Sequence, residues 1–157
     1  MGSYHRPVYS LGTSIRSGDE FVRLLRCYGV ELVVDVRRFP VSRFEHFNQQ
    51  ELARLLAEKG IGYLYLGDKL GGYRRGGYPA FVNSEEFNKG MEMLEIAASE
   101  KVSAIVCAER LPWRCHRRFI AAELEKKGWE VKHIINENRV WSPKGYSATI
   151  RETGTAI

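Results

Sequence analysis

Three short stretches of the chain combine residue types that bind anions and make or break bonds. The first holds Asp35, Arg37 and Arg38, with Ser42 and Arg43 a few residues on. The second is Tyr73-Arg74-Arg75, followed by Tyr78. The third runs from Cys107 through Glu109, Arg110 and Arg114 to Cys115-His116-Arg117-Arg118. Nine of the 16 arginines fall in these stretches, against one nearby lysine, Lys69. Loop ends commonly carry charge, but that alone does not select Arg over Lys. Arg presents a planar fork of donors matched to phosphate or carboxylate, so the bias points to an anionic, phosphate-bearing ligand.

Cys107 is the candidate nucleophile. It ends an apolar run and precedes a turn into a helix, where amide donors, the helix dipole and flanking arginines favour a thiolate. The alternative is a cysteine that fills a buried strand end. Cys115 is expected to pack against the sheet, with His116 and Arg117 facing the ligand. His116 joins Asp35 and Glu109 as candidate general acid–base groups. The two carboxylates could equally clamp Arg37 or Arg117, or hold the loops by ion pairs. Arg37, Ser42, Arg43, Arg74, Arg75 and Arg117 are the candidate anion ligands. Thr13 and Ser14, just after Gly12, add hydroxyls and closely approaching backbone. Tyr73 and Tyr78, beside the Arg pair, could stack on bases. A zinc site built from Cys107, Cys115 and His116 lacks a fourth ligand and a familiar spacing, so no metal is assigned, and no cofactor is implied. Cys27 reads as core and His133 as a satisfied buried histidine.

The elements that must position these groups follow from the apolar pattern. Residues 7–11, 31–36, 61–66, 102–107 and 130–135 read as five strands. Between them, Ser17-Gly18-Asp19-Glu20 has the form of a capping box opening a helix that Gly29 stops. Asn48 opens a second helix ending at Gly60, Ser84 a third, and Pro112 or Cys115 a fourth ending before Gly128. The alternation predicts an α/β fold: a single-domain three-layer sandwich, with a mainly parallel five-stranded sheet and helices on both faces. Residues 67–83 show no periodicity and read as a functional or disordered loop. Residues 1–137 form the domain, and 138–157 are expected to be a polar, partly disordered tail.

In such a sheet, ligands bind beyond the carboxyl ends of the strands. All three arginine-bearing stretches fall there. The whole-chain numbers agree with one domain: 157 residues, 44% hydrophobic, 27% charged, net charge +5. No apolar run is long enough to span a membrane, and no signal segment is visible. Three cysteines are too few for a disulfide framework, so a reducing cytoplasm is the expected setting.

The series Ser10-Leu11-Gly12-Thr13-Ser14, Asp35-Val36-Arg37-Arg38-Phe39-Pro40, Phe47-Asn48, Leu70-Gly71-Gly72, Cys107-Ala108-Glu109 and Cys115-His116-Arg117 resembles the domain-of-unknown-function family 488 (DUF 488), across about residues 7–136. Thr13 stands where that family usually has a His, so no role for that His carries over. The resemblance implies a small α/β domain and no particular reaction. A fainter similarity is to rhodanese-like domains, which also place Asp-x-Arg and a Cys at strand ends. The loop from Cys107 to Arg114 is one residue too long for their active loop and contains Pro112.

Three functions are therefore expected to compete. The first is an enzyme acting on a nucleotide or nucleic acid, and the second a non-catalytic module binding RNA or DNA. The third is sulfur or thiol chemistry at Cys107. The implied partner is an anionic ligand, not a membrane, and the sequence leaves oligomeric state open.

Overall fold

The apolar runs fold as strands close to their expected bounds. In the computed structural model, which describes residues 6–142 and 145–148, these are β1 (Val8–Gly12), β2 (Leu32–Asp35), β3 (Gly62–Tyr65), β4 (Ser103–Cys107) and β5 (Val131–Asn136). The helices are α1 (Gly18–Cys27), α2 (Gln49–Glu58), two single turns α3 (Gly67–Leu70) and α4 (Tyr78–Phe81), then α5 (Glu85–Glu100) and α6 (Arg117–Lys126). Ser17 and Ser84 cap as expected, their hydroxyls accepting from the amides of Glu20 at 3.0 Å and Phe87 at 3.1 Å. Asn48 does not cap α2. Its Oδ1 instead accepts from the Ser42 amide at 2.6 Å, closing the turn after β2.

β1 to β5 are all parallel, in the order β3-β2-β4-β1-β5. The sheet is larger than the expected five strands. Arg139–Ser142 (β6) and Gly145–Ala148 (β7) add to β5 in antiparallel register, making seven. A two-residue turn, Glu137-Asn138, lets β6 fold straight back, and Val140 is its one buried side chain. One inward apolar residue among polar neighbours is too weak a period to read as a strand. The start of the expected tail is therefore sheet, while residues 143–144 and 149–157 lie outside the described residues.

Because strand side chains alternate in direction, the sheet feeds two separate apolar clusters. Val8, Val34, Ile105 and Val131 join Phe87, Met91 and Leu94 of α5 and Ile120 and Leu124 of α6. Leu11, Val33, Ala104, Val106 and Ile134 join Phe21, Leu24 and Leu25 of α1 and Leu52 and Leu56 of α2. β2 and β4 are thus apolar on both faces, as their unbroken sequences require. No helix among the described residues is long and apolar enough to cross a membrane.

Residues 67–83 are ordered by their own side chains rather than left as an open loop. Arg74 Nε donates to the Gly71 carbonyl at 2.8 Å and Nη2 to that of Asp68 at 2.7 Å. Its guanidinium lies 4.0 Å from the Phe81 ring centre. Tyr78 donates its hydroxyl to the Leu70 carbonyl at 2.7 Å.

The ends of β1 and β4 are zipped together beyond the sheet: the Thr13 amide donates to Cys107 O at 2.8 Å and the Ser14 amide to Ala108 O at 2.9 Å. Gly12 makes this possible, since a Cβ there would lie 2.0 Å from the Glu109 carbonyl oxygen. Gly12→Ala is expected to cost about 2 kcal/mol or more, because backbone must move to relieve the overlap. A urea midpoint equal to that of the unsubstituted chain would refute the contact.

Candidate functional site

Between the loops that follow β2 and β4 lies an open crevice of about 880 Å³. Its walls are Arg37, Arg38, Phe39 and Val41 on one side, and Cys107 to Glu109 with Arg114 to His116 on the other. Gly72, Tyr73 and Tyr78 close a third side. This is the carboxyl edge of the sheet, where strand-end loops are free to meet a ligand.

Two sulfurs sit at its base. Cys107 ends β4, Cys115 lies two residues before α6 begins, and their Sγ atoms are 2.6 Å apart. Beneath them Arg117 is fully buried. Its Nε and its backbone N–H each donate to Cys115 Sγ at 3.4 Å, Nη1 donates to Ser10 Oγ at 2.9 Å, and Nη2 donates to the Glu109 carbonyl. Among the described residues Arg117 forms no ion pair with a carboxylate. A buried guanidinium without a counterion costs several kcal/mol, so charge balance falls to the thiols. Burial works to lower the Arg117 pKa, but Cys107 and Cys115 outweigh it and hold it above its ordinary value.

The two thiols divide the charge. The hydrogen bond from Cys107 pulls the Cys115 thiol well below its ordinary range; burial opposes this, while His116 and Arg117 add to it. Burial pushes Cys107 well up, and its hydrogen bond to Cys115 pushes in the same direction. Cys115 is therefore the thiolate, and Cys107 is the protonated thiol that donates to it. This reverses the expectation that Cys107 is the activated sulfur and Cys115 mere packing. The activating features assumed for Cys107, a helix start and a neighbouring Arg, belong in three dimensions to Cys115.

His116 completes the group. Its Nε2 lies 3.0 Å from the Val36 carbonyl oxygen, which can only accept, so Nε2 carries a hydrogen. Its Nδ1 consequently faces Cys115 Sγ, at 3.7 Å. Behind Arg117, Ser10 Oγ accepts from the guanidinium and shares a hydrogen bond with His133 Nδ1. His133 is buried and its pKa is lowered to about 3, first by burial and then by Arg117. It is a satisfied core histidine, as its place within a strand suggests.

Asp35 does not reach a ligand as an acid–base group. It is wholly buried, its Oδ1 accepting from Arg37 Nε at 2.9 Å and Oδ2 from Arg37 Nη2 at 2.8 Å and from the Tyr63 hydroxyl at 2.6 Å. Arg37 Nη1 donates to the Phe47 carbonyl at 2.7 Å. This is the bidentate clamp, and it ties the loop after β2 to the short turn at Glu45–Phe47.

The remaining expected residues scatter. Thr13 is buried and its amide is spent on the β1–β4 zipper, as is that of Ser14, so neither offers backbone to a ligand. Ser42 Oγ accepts from the Phe44 amide at 3.0 Å, and Arg43 lies over the Phe44 ring; neither lines the crevice. Arg74 serves its own loop. Arg75 is exposed and off the wall. Tyr78 is buried among Phe81, Phe87 and Phe119, so it cannot stack on a base, whereas Tyr73 stands out in solvent. Glu109 is on the wall, its Oε2 accepting from the Leu111 amide at 3.0 Å. Half-buried Cys27 ends α1 and does not line the crevice. Among the described residues no three His, Cys, Asp or Glu side chains gather as a metal site.

Two wall features have no place among the expected ligands. Phe39 and Val41 are exposed apolar residues in an otherwise polar loop, a sequence signal in itself, and Arg114 lines the crevice unengaged by any carboxylate among the described residues. The family model described as "Domain of unknown function DUF488" matches residues 17–124, a span holding Asp35, both crevice cysteines and Arg117. No curated protein matches the chain.

Two outcomes follow from the geometry. Alkylation of Cys115 by iodoacetamide should hold its rate as pH falls from about 8 to about 6, where an ordinary thiol loses roughly tenfold per unit. The sign is that of an acid with a depressed pKa, still ionised below the ordinary thiol range. Cys107→Ala should move the profile furthest toward that of an ordinary thiol and Arg117→Met part of the way, and a wild-type midpoint near 8.5 would remove the thiolate assignment. Asp35→Asn should cost about 3–5 kcal/mol in urea unfolding by stranding buried Arg37, yet leave the Cys115 labelling profile of the folded protein unchanged. An undiminished stability would show the clamp to be incidental.

Proposed function

The chain belongs to the DUF488 family, and from that premise we propose that it is a cysteine-dependent enzyme acting on an anionic, phosphate-bearing substrate. Cys115 is the nucleophile. One observation supports this most strongly: a fully buried guanidinium, Arg117, rests on a sulfur that lines an open crevice. A thiolate kept only for packing would have no reason to face solvent-accessible space, and a cation kept only for structure would be better served by a carboxylate.

The roles divide by position. The Cys115 thiolate attacks the electrophilic centre, forming a sulfur–substrate bond as the bond to the leaving group breaks. His116 Nδ1, the ring nitrogen that faces the sulfur, takes the proton that the Cys115 thiol gives up and delivers it to the leaving group. It then takes one from the water that cleaves the covalent intermediate and restores the thiolate. Cys107 holds the resting thiolate through its S–H hydrogen bond. Arg117 is a positioning residue, since it reaches the substrate only through the sulfur. Arg38 and Arg114, on opposite walls, receive the substrate's negative charge. They take the part first assigned to Arg37, Arg43, Arg74, Arg75 and Arg117. This reading treats the helices over the two core clusters as the outer layers of a three-layer domain whose carboxyl edge carries the site.

A charged alkylating agent tests nucleophile and anion preference together. The rate ratio of iodoacetate to iodoacetamide at Cys115 should exceed that of free glutathione several-fold, and Arg38→Ala/Arg114→Ala should abolish the excess. Cys107→Ser should keep rapid labelling and Cys115→Ser should lose it. In a screen of activated phosphate esters, turnover should vanish with Cys115→Ser and with His116→Asn. First labelling at Cys107 or Cys27, or a ratio equal to glutathione's, would overturn the proposal.

A further inference from the structure

At the mouth of the crevice two aromatic rings stand largely in solvent. Tyr73 is 86% exposed and Phe39 62%, with Val41 beside them at 76%. The rings are 6.1 Å apart, centre to centre, and inclined at 37°. Exposing this much aromatic surface is unfavourable in water unless a partner takes it up. Tyr73 is also held in a backbone conformation that few residues other than glycine adopt, at φ +61°. Such a conformation costs on the order of 1–3 kcal/mol. A hydrogen bond from Arg38 to the Tyr73 carbonyl fixes it, and the Arg38 guanidinium also sits 5.4 Å from the Phe39 ring centre. The rings are therefore presented, not merely left out.

Charge selects the partner. Arg38 flanks the rings, Arg114 lines the facing wall, and among the described residues neither pairs with a carboxylate. Exposed Arg43 and Arg75 continue the positive edge along the same two loops. Flat apolar faces interleaved with unpaired guanidinium groups match a polymer of planar rings joined by phosphates.

We propose that Phe39 and Tyr73 form a stacking platform for the bases of single-stranded nucleic acid, with Arg38 and Arg114 on its phosphates. The assignment names the substrate class for the crevice and rests on the cysteine-dependent reading only for what happens after binding. Duplexes are disfavoured, because their bases are already stacked and present only edges and backbone. The pairing of aromatic faces with arginines is sequence-tolerant, since every base has a π-face.

The test uses the full chain and fluorescein-labelled oligo(dT) and oligo(rU) of about 12 nucleotides, a length suited to a site of this kind, followed by anisotropy. Binding is expected to weaken steeply with salt. Phe39→Ala/Tyr73→Ala should weaken it roughly tenfold or more with the salt slope unchanged. Arg114→Ala should reduce that slope by about one. Anisotropy reads binding without turnover, so loss of thiol chemistry and loss of binding are separately visible. Three results would overturn the platform: no binding to either oligomer at about 50 mM salt, equal affinity for a duplex of the same length, or full affinity in the Phe39→Ala/Tyr73→Ala chain. Displacement by thymidine monophosphate at equal nucleotide concentration would likewise overturn it, in favour of a mononucleotide site.

Discussion

A positive charge with no access to water must find its counterion inside the protein. Arg117 is that charge, and the geometry around it is largely the cost of keeping it there. Its three nitrogens reach a strand hydroxyl at Ser10, a loop carbonyl at Glu109 and the sulfur of Cys115. β1, the loop after β4 and the start of α6 are thereby tied to a single planar group. A guanidinium fixes directions as well as distances, so the sulfur cannot drift from its plane without leaving a donor unsatisfied. The candidate nucleophile is consequently held by the same contacts that hold the domain's carboxyl edge together.

The other wall is built by the same means with different atoms. Asp35 clamps Arg37, Arg37 reaches the Phe47 carbonyl, and Tyr63 closes the carboxylate's remaining lone pairs. Both walls thus end in a buried arginine pointed at the protein rather than at a ligand. Between them the backbones come too close for side chains: Gly67 and Gly71 pack onto Arg37 and Arg38, as Gly12 packs onto Glu109. The crevice keeps its width because its rims are braced from below, which frees Phe39, Tyr73 and Arg114 to face outward.

How much of this could be read from residues alone depends on the range of the interaction involved. The five parallel strands and four longer helices were legible because each is announced locally, by an apolar run, a capping serine or a terminal glycine. α3 and α4 were not, since what orders them is Arg74 bonding to carbonyls several residues away. The hairpin strands were missed because Val140 is their one strong inward signal. At the site, the arginine bias correctly marked the edge, but it could not separate an arginine that binds its own backbone from one open to solvent. Arg37, Arg74 and Arg117 belong to the first kind and Arg114 to the second. The choice between two sulfurs was also beyond reach. Cys107 and Cys115 each stand near a helix start and arginines in sequence, and what distinguishes them is that the Arg117 side chain and amide and His116 Nδ1 all face Cys115.

The chain from Arg117 through Ser10 ends on His133, which burial and the nearby Arg117 charge keep neutral. In the folded protein this imidazole takes a proton only near pH 3, whereas the unfolded chain takes it near the ordinary 6.5. Above that ordinary value neither state is protonated and the residue adds nothing to pH dependence. Below it the unfolded state gains a proton that the folded state refuses, so stability drains away as pH falls toward 3. Acid therefore weakens the whole domain through a buried group that lies behind the support of the thiolate.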